Sequence, residues 1–405
     1  MERHRVAISG LGVVSAVGNT VSDFFDALVH GRSGVRRLPW REDTVAASVD
    51  WREESHFPRA QLNMLDRFSQ FALVAAQQAV EQARLSPALL ATPRAAVYFG
   101  SGLGGAQTMD SGYHSYLSPS GRVPPTLVVL TMANAAAAHI SLRHGIRGPC
   151  LTYSIACASA AVAIGEAFRA IRDGYVDLAI AGGSEALLAP GIVAGWNAMR
   201  VLAPPAADPA KSCRPFALDR RGLVLGEGAA AFLLESEAHL KARDGAPLAI
   251  LAGYGTASDA AHLAKPDAGG QALAMRAALA EAGMSPGDIG YINAHGTATP
   301  VGDPVETASI KEVFGDLARG VPISSTKALH GHLLGASGAV ELVAAVMAVR
   351  EGMVPPTCHL DAADPECDLD YVPNLARRAP ALRSALSNSF AFGGTNASLV
   401  VTRAA

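Results

Sequence analysis

Short apolar runs of β type alternate along the chain with longer stretches of helical period. Val6–Ser9, Ala95–Phe99, Leu151–Ser154 and Leu178–Ala181 read as buried strands, and Asp66–Arg84 and Ala158–Arg172 as helices between or beside them. The second half repeats the theme. Leu248–Gly253, Ile289–Asn293, Pro322–Ser324, Ala385–Ser389 and Ser398–Thr402 read as strands; Gly270–Ala282, Pro304–Phe314 and Ala336–Arg350 read as helices. This alternation of strands and helices predicts an α/β layered fold with strands buried on both faces. The order of elements points to a duplicated architecture, although the halves share little sequence. The polar stretch Glu235–Pro247 is the best boundary and divides the chain into 1–247 and 248–405. Ala203–Arg214, rich in Pro and Ala, reads as a surface loop.

Composition narrows the function classes. A chain of 405 residues with 50% hydrophobic residues supports a large core. A net charge of −3 supplies no basic field for nucleic acid. The odd count of five cysteines fits neither a disulfide framework nor a zinc site, and a reducing, cytoplasmic setting is expected. The chain enters a β run almost at once, so no signal peptide is expected, and no stretch has the length and apolarity of a membrane span.

The candidate chemistry lies in four segments: Ser154-Ile155-Ala156-Cys157-Ala158-Ser159-Ala160, Asn293-Ala294-His295-Gly296-Thr297, Ser325-Thr326-Lys327 running on to Gly331-His332, and Asn388 to Asn396. Cys157 falls where a short β run meets an Ala-rich helix. Free N–H groups and the positive dipole end there favour a thiolate. A free cysteine is commonly buried and inert, so its role rests on the other three segments. His295 follows a strand, at the end where active-site groups of α/β sheets collect. His332 precedes a glycine-punctuated entry into a helix and is preferred over His330 for that reason. Two neutral imidazoles can donate to a thioester carbonyl as it becomes an enolate. Lys327 can hold a carboxylate or fix the protonation of a neighbouring histidine.

Gly393-Gly394 after Phe392 predicts a turn that glycine allows easily. The amides of Cys157 and Phe392 are candidate oxyanion donors. Gly100, Gly102 and Gly105 spell a dinucleotide-type pattern after a strand. Ser118–Leu130, with three prolines, a glycine and no acid, argues against the helix and acidic residue that such a site needs.

Taken together the four segments resemble the elongating β-ketoacyl-acyl-carrier-protein synthases of type II fatty acid and polyketide pathways, nearly from end to end. The resemblance implies the thiolase fold, with two similar halves in a five-layered αβαβα arrangement. One half would carry Cys157 and the other His295, Lys327 and His332. It implies Cys157 as acyl-accepting nucleophile and His295 and His332 as the decarboxylation pair. Lys327 matches the family's active-site lysine, Glu341 its supporting glutamate, Phe392 its gating phenylalanine and Leu103 a residue of the acyl tunnel. Leu223 falls where a phenylalanine normally borders the malonyl side. Arg67 and Arg200 would contribute to docking of the acyl carrier protein. No metal or organic cofactor is implied, since the phosphopantetheine arm belongs to the carrier. A homodimer, or a heterodimer with a related ketosynthase-like subunit, is implied as well.

The chain departs from the family pattern at Ile155, where Thr is usual, at Ala217 and Arg221, where Asp is usual, and at Leu223. These changes favour a specialised synthase, in polyketide or aryl-polyene synthesis, over the housekeeping enzyme. Two alternatives remain open at this stage. A thiolase acting on coenzyme A thioesters would use a second, late cysteine, and Asn388–Asn396 has none. A non-catalytic subunit shaping a partner's tunnel would usually lack the nucleophile.

Overall fold

A computed structural model describes residues 3–404. Its first five long-range strands are β1 (Val6–Ser15), β2 (Ala95–Gly100), β3 (Cys150–Tyr153), β4 (Leu178–Glu185) and β5 (Gly228–Ser236). They lie in the spatial order β3-β2-β4-β5-β1. The next set is β6 (Ala249–Ser258), β7 (Ile292–Asn293), β8 (Ile323–Ser324), β9 (Ser384–Phe390) and β10 (Thr395–Arg403). Its order is β8-β7-β9-β10-β6. Each set therefore runs third, second, fourth, fifth, first. The directions match too: the third, second and fourth strands are mutually parallel, while the fifth and first are each antiparallel to their neighbour. The duplication that element order pointed to is visible in topology where residue identity hides it.

The two sets are not separate sheets. β1 and β6 pair antiparallel across Val6–Ile8 and Ala249–Leu251, which makes one ten-stranded ladder. Helix α1 (Arg67–Gln82) covers the outer face of the first set, packing on β1 and β5, and α3 (Ala268–Ala282) covers β6 and β10 of the second. Between the sets lie α2 (Ser159–Arg172) and α5 (Ser337–Glu351), which touch each other and strands of both sets. This is the five-layered arrangement. A fourth helix, α4 (Gly302–Phe314), packs beside α3. The central helices are buried nearly all round, as their alanine-rich, apolar sequences require.

Most strands extend beyond the sequence-based bounds. The apolar run of β1 predicts an end at Ser9, because Gly10 and Gly12 interrupt it. In the structure those glycines let α1 lie on the strand: a Cβ at Gly10 would stand 1.9 Å from the Ala79 carbonyl oxygen, and one at Gly12 1.9 Å from that of Ala75. β5 is not predicted by the sequence pattern, since its Ala-rich start does not look like a strand. The stretch Glu235–Pro247 holds a short helix, Glu237–Ala242, capped by Ser236. A helix, Ala106–Leu117, does follow the glycine pattern of 100–105, contrary to expectation. The amides of Gly102 and Leu103 in that pattern donate to the Glu185 carboxylate, at 2.7 and 3.0 Å.

Candidate active site

The site gathers at the C-terminal ends of strands from both sets. After β3 the chain turns through Ala156, whose φ of 41° is left-handed, into a tight turn spanning Ala156–Ala158 that delivers Cys157 to the start of α2. The Ser159 hydroxyl fixes this turn by accepting from the Ile155 amide at 2.8 Å and donating to the Ala156 carbonyl at 2.7 Å. β7 delivers His295 and β8 delivers Lys327. The carboxylate of Glu306, on α4, holds the first of these by accepting from the His295 and Gly296 amides at 2.8 and 2.7 Å. His332 lies on the turn that enters α5.

Nε2 of His332 lies 3.0 Å from Cys157 Sγ, and Nδ1 lies 2.8 Å from Ser337 Oγ. The His295 and His332 rings meet edge to face, with centroids 5.3 Å apart. Cys157 Sγ and one nitrogen of each imidazole lie within 4.8 Å of one another. The same three atoms could close around a thiophilic cation, which would occupy the nucleophile. Lys327 donates to the His295 carbonyl at 2.6 Å and lies 3.4 Å from its Nδ1. It also pairs with Glu341, and both partners are fully buried.

Burial sets the protonation of the site. It pushes the Cys157 thiol up to about 11, against the N–H of Phe392, the charge of Lys327 and its own N–H, with Glu341 adding to the upward push. Helix-terminus placement therefore does not by itself yield a thiolate in the free enzyme, contrary to the sequence-based expectation. Burial, Lys327 and His332 hold His295 well below the usual histidine range. Burial, Lys327 and His330 do the same for His332. Both rings are neutral at physiological pH and so carry one N–H each.

The N–H groups of Phe392 and Cys157 favour the thiolate form of Cys157. Phe392 sits on the turn between β9 and β10, where Gly393 and Gly394 take φ of 90° and 77°. Its ring stacks on Trp196 at 6.1 Å. A cavity of about 420 Å³ reaches from Cys157, His295 and His332 past Leu223 and Phe392 to Arg200, Arg221 and Lys265. Those three cations are exposed, and none forms an ion pair among the described residues.

Arg67 and Leu103, two residues expected to serve the site, do not line this cavity. Arg67 is not free for a carrier: it grips the buried Glu227 through two N–H groups, at 3.1 and 2.7 Å, and donates to the Val49 carbonyl. Leu103 lies at the surface of the single chain, 40% exposed. His330 is turned away, with its ring nitrogens on Thr326 Oγ1 and the Gly331 carbonyl. Glu306, Ser337 and Glu185 belong to the site without being evident from the sequence. Glu185 accepts from Ser101, Gly102, Leu103 and Gly335, and so ties the 101–103 loop to the turn that follows His332. Its position at the end of β4, after a Gly-Gly-Ser run, is the available signal.

A buried thiol between two neutral imidazoles and two backbone N–H groups is the equipment of an enzyme that carries an acyl group on sulfur and stabilises an oxyanion beside it. Residues 3–239 match the family model for the β-ketoacyl synthase N-terminal domain, and residues 248–361 that for the C-terminal domain. The chain belongs to the β-ketoacyl synthase family and is an acyltransferase-type enzyme. It is 42% identical over 405 residues to Nodulation protein E of Rhizobium sp. (strain N33), covering 98% of each chain. It is 40% identical over 412 residues to 3-oxoacyl-[acyl-carrier-protein] synthase 2 of Coxiella burnetii, covering 100% of this chain and 99% of the other. Among solved structures, the ishigamide ketosynthase/chain length factor superposes with a TM-score of 0.93 at 32% identity over all of both chains. A ketosynthase, ApeO, in complex with its chain length factor, ApeC, from Xenorhabdus doucetiae superposes with a TM-score of 0.84 at 30% identity, covering 99% and 98%.

Proposed function

We propose that this enzyme extends a Cys157-bound acyl chain by two carbons, through decarboxylative condensation with a malonyl group on an acyl carrier protein. The observation that carries this reading is the convergence of His295 and His332 on the Cys157 thiol. In the first half-reaction the Cys157 sulfur attacks a carrier thioester. A new C–S bond forms, the carrier's C–S bond breaks, and the thiol proton ends on the carrier's thiol. The amides of Cys157 and Phe392 receive the negative charge that builds on the carbonyl oxygen.

In the second, malonyl-carrier protein loses carbon dioxide and the electron pair passes to the thioester carbonyl. Nε2–H groups of His295 and His332 donate to the resulting enolate oxygen. The enolate carbon attacks the Cys157 thioester, a C–C bond forms, and the sulfur leaves as thiolate to be reprotonated. The product is a 3-oxoacyl chain on the carrier. Lys327, between the Glu341 carboxylate and His295, fixes the ring that it touches. No metal or organic cofactor enters these steps.

Arg200 and Arg221, with Lys265, offer unpaired charge at the cavity's outer end for an acidic carrier and its phosphodiester. Arg221 stands where the family usually has an aspartate, which makes this rim more cationic. The edge strand β3 leaves Leu151 exposed, and Leu117, Val128 and Met132 are exposed as well. This apolar surface supports assembly with a second ketosynthase-like chain, identical or related. The likeness to Nodulation protein E and to ketosynthase/chain length factor structures supports a specialised pathway, which we read as fatty acid, polyketide or aryl-polyene synthesis. A panel of acyl-carrier donors of graded length and unsaturation, supplied with malonyl-carrier protein and read by product mass, tests the reading. Products two carbons longer than the donor are expected. Acyl exchange without C–C bond formation from any donor would reject it.

A further inference from the structure

We infer that Ser337 sets the tautomer of His332, so that its hydroxyl is a positioning group for the second half-reaction. The inference rests on the reading of His332 as an enolate-stabilising donor. The His332 ring is held between two partners, Sγ of Cys157 on its Nε2 side and Oγ of Ser337 on its Nδ1 side. A serine hydroxyl has one proton to give and two lone pairs. One lone pair is taken, because the Leu333 amide, which can only donate, reaches Ser337 Oγ at 2.9 Å. Among the described residues no carbonyl lies within hydrogen-bonding reach of that hydroxyl. Its proton therefore has a single acceptor, Nδ1 of His332.

The opposite tautomer would make Oγ accept twice and leave its own proton unpaired at a fully buried position, which is costly. The hydroxyl thus keeps Nδ1 bare and the ring proton on Nε2, the nitrogen facing the reaction centre. His295 shows the same polarity by a different group. There a lysine Nζ stands 3.4 Å from Nδ1, again placing the proton on Nε2. Ser337 is itself held in place, because it is the first residue of α5 and its bond to Leu333 pins the turn that carries His332.

Ser337→Ala and Ser337→Thr test the assignment. Ser337→Ala is expected to slow carbon dioxide release from malonyl-carrier protein by about 10- to 100-fold, while acylation of Cys157 changes by less than about threefold. Ser337→Thr, which keeps the hydroxyl, is expected to recover most of that loss. In protein labelled with 15N-histidine, the His332 resonances should report Nε2–H in the wild type and lose that pattern in Ser337→Ala. Wild-type decarboxylation in Ser337→Ala, equal loss of both half-reactions, or an unchanged tautomer would overturn the proposal. Should Ser337→Thr not fold, the tautomer in Ser337→Ala decides. His332→Ala separates the layers. If it spares decarboxylation, the underlying role of His332 is wrong; if it abolishes decarboxylation while Ser337→Ala does not, Ser337 alone is misassigned.

Discussion

Nε2 of His332 stands 3.0 Å from Sγ of Cys157, although 175 residues separate them in the chain. The contact joins the start of α2 to the entry of α5, the paired central helices. It places a neutral N–H donor beside the nucleophile rather than a base strong enough to hold the thiol proton.

His332→Ala should therefore separate the half-reactions. Acylation of Cys157 is expected to persist, while malonyl decarboxylation falls by about 10²- to 10³-fold, the usual loss for one oxyanion donor. Intact-protein mass reports the first step and carbon dioxide release the second. Equal loss of both steps would contradict the assignment.

The Lys327–Glu341 pair makes a prediction about stability. Both side chains are fully buried, so removing one strands the other. Glu341→Ala is expected to cost about 3–5 kcal/mol in urea unfolding. Combining Lys327→Met with Glu341→Leu should recover most of it, because an apolar pair of similar volume leaves no unpaired charge. A double variant as unstable as the single one would show that the cost lies in packing.

Much of this architecture is legible in the sequence, and the failures share a cause. A short β run followed by an alanine-rich stretch places Cys157 at a strand–helix join, and the structure puts it there. The central helices are predicted within a residue or two because their apolar runs are long. What stays hidden depends on partners distant in the chain. Arg67 looks like a free surface cation until Glu227, 160 residues away, is folded against it. Ser337 gives no signal and Glu185 only a weak one, its place after a Gly-Gly-Ser run, because a serine at a helix start and a glutamate at a strand end are ordinary until their acceptors and donors are known. The thiol's pKa escapes a local reading because the helix terminus is a local feature, whereas burial is set by the whole fold.

Glu235 predicts an acid-dependent loss of stability. Burial pushes its carboxyl up, but Arg243, His239 and Ser9 outweigh burial and hold it at about 2, against an ordinary 4.5. The folded protein thus binds this proton less tightly than the unfolded chain. The stabilisation is fully present above pH 4.5 and is lost as the pH falls towards 2. It is on the order of 3 kcal/mol. Urea midpoints of wild type and Glu235→Gln should differ near neutral pH and converge in acid. A difference independent of pH would contradict this.

The central claim is that Cys157 carries the growing chain. Incubation with an acyl-carrier donor, followed by peptide mass spectrometry, tests it most directly. The account predicts an acyl mass on the peptide containing Cys157, absent from Cys157→Ser and discharged by malonyl-carrier protein with release of a longer 3-oxoacyl product. No adduct with any donor, or an adduct on another residue that survives Cys157→Ser, would contradict it.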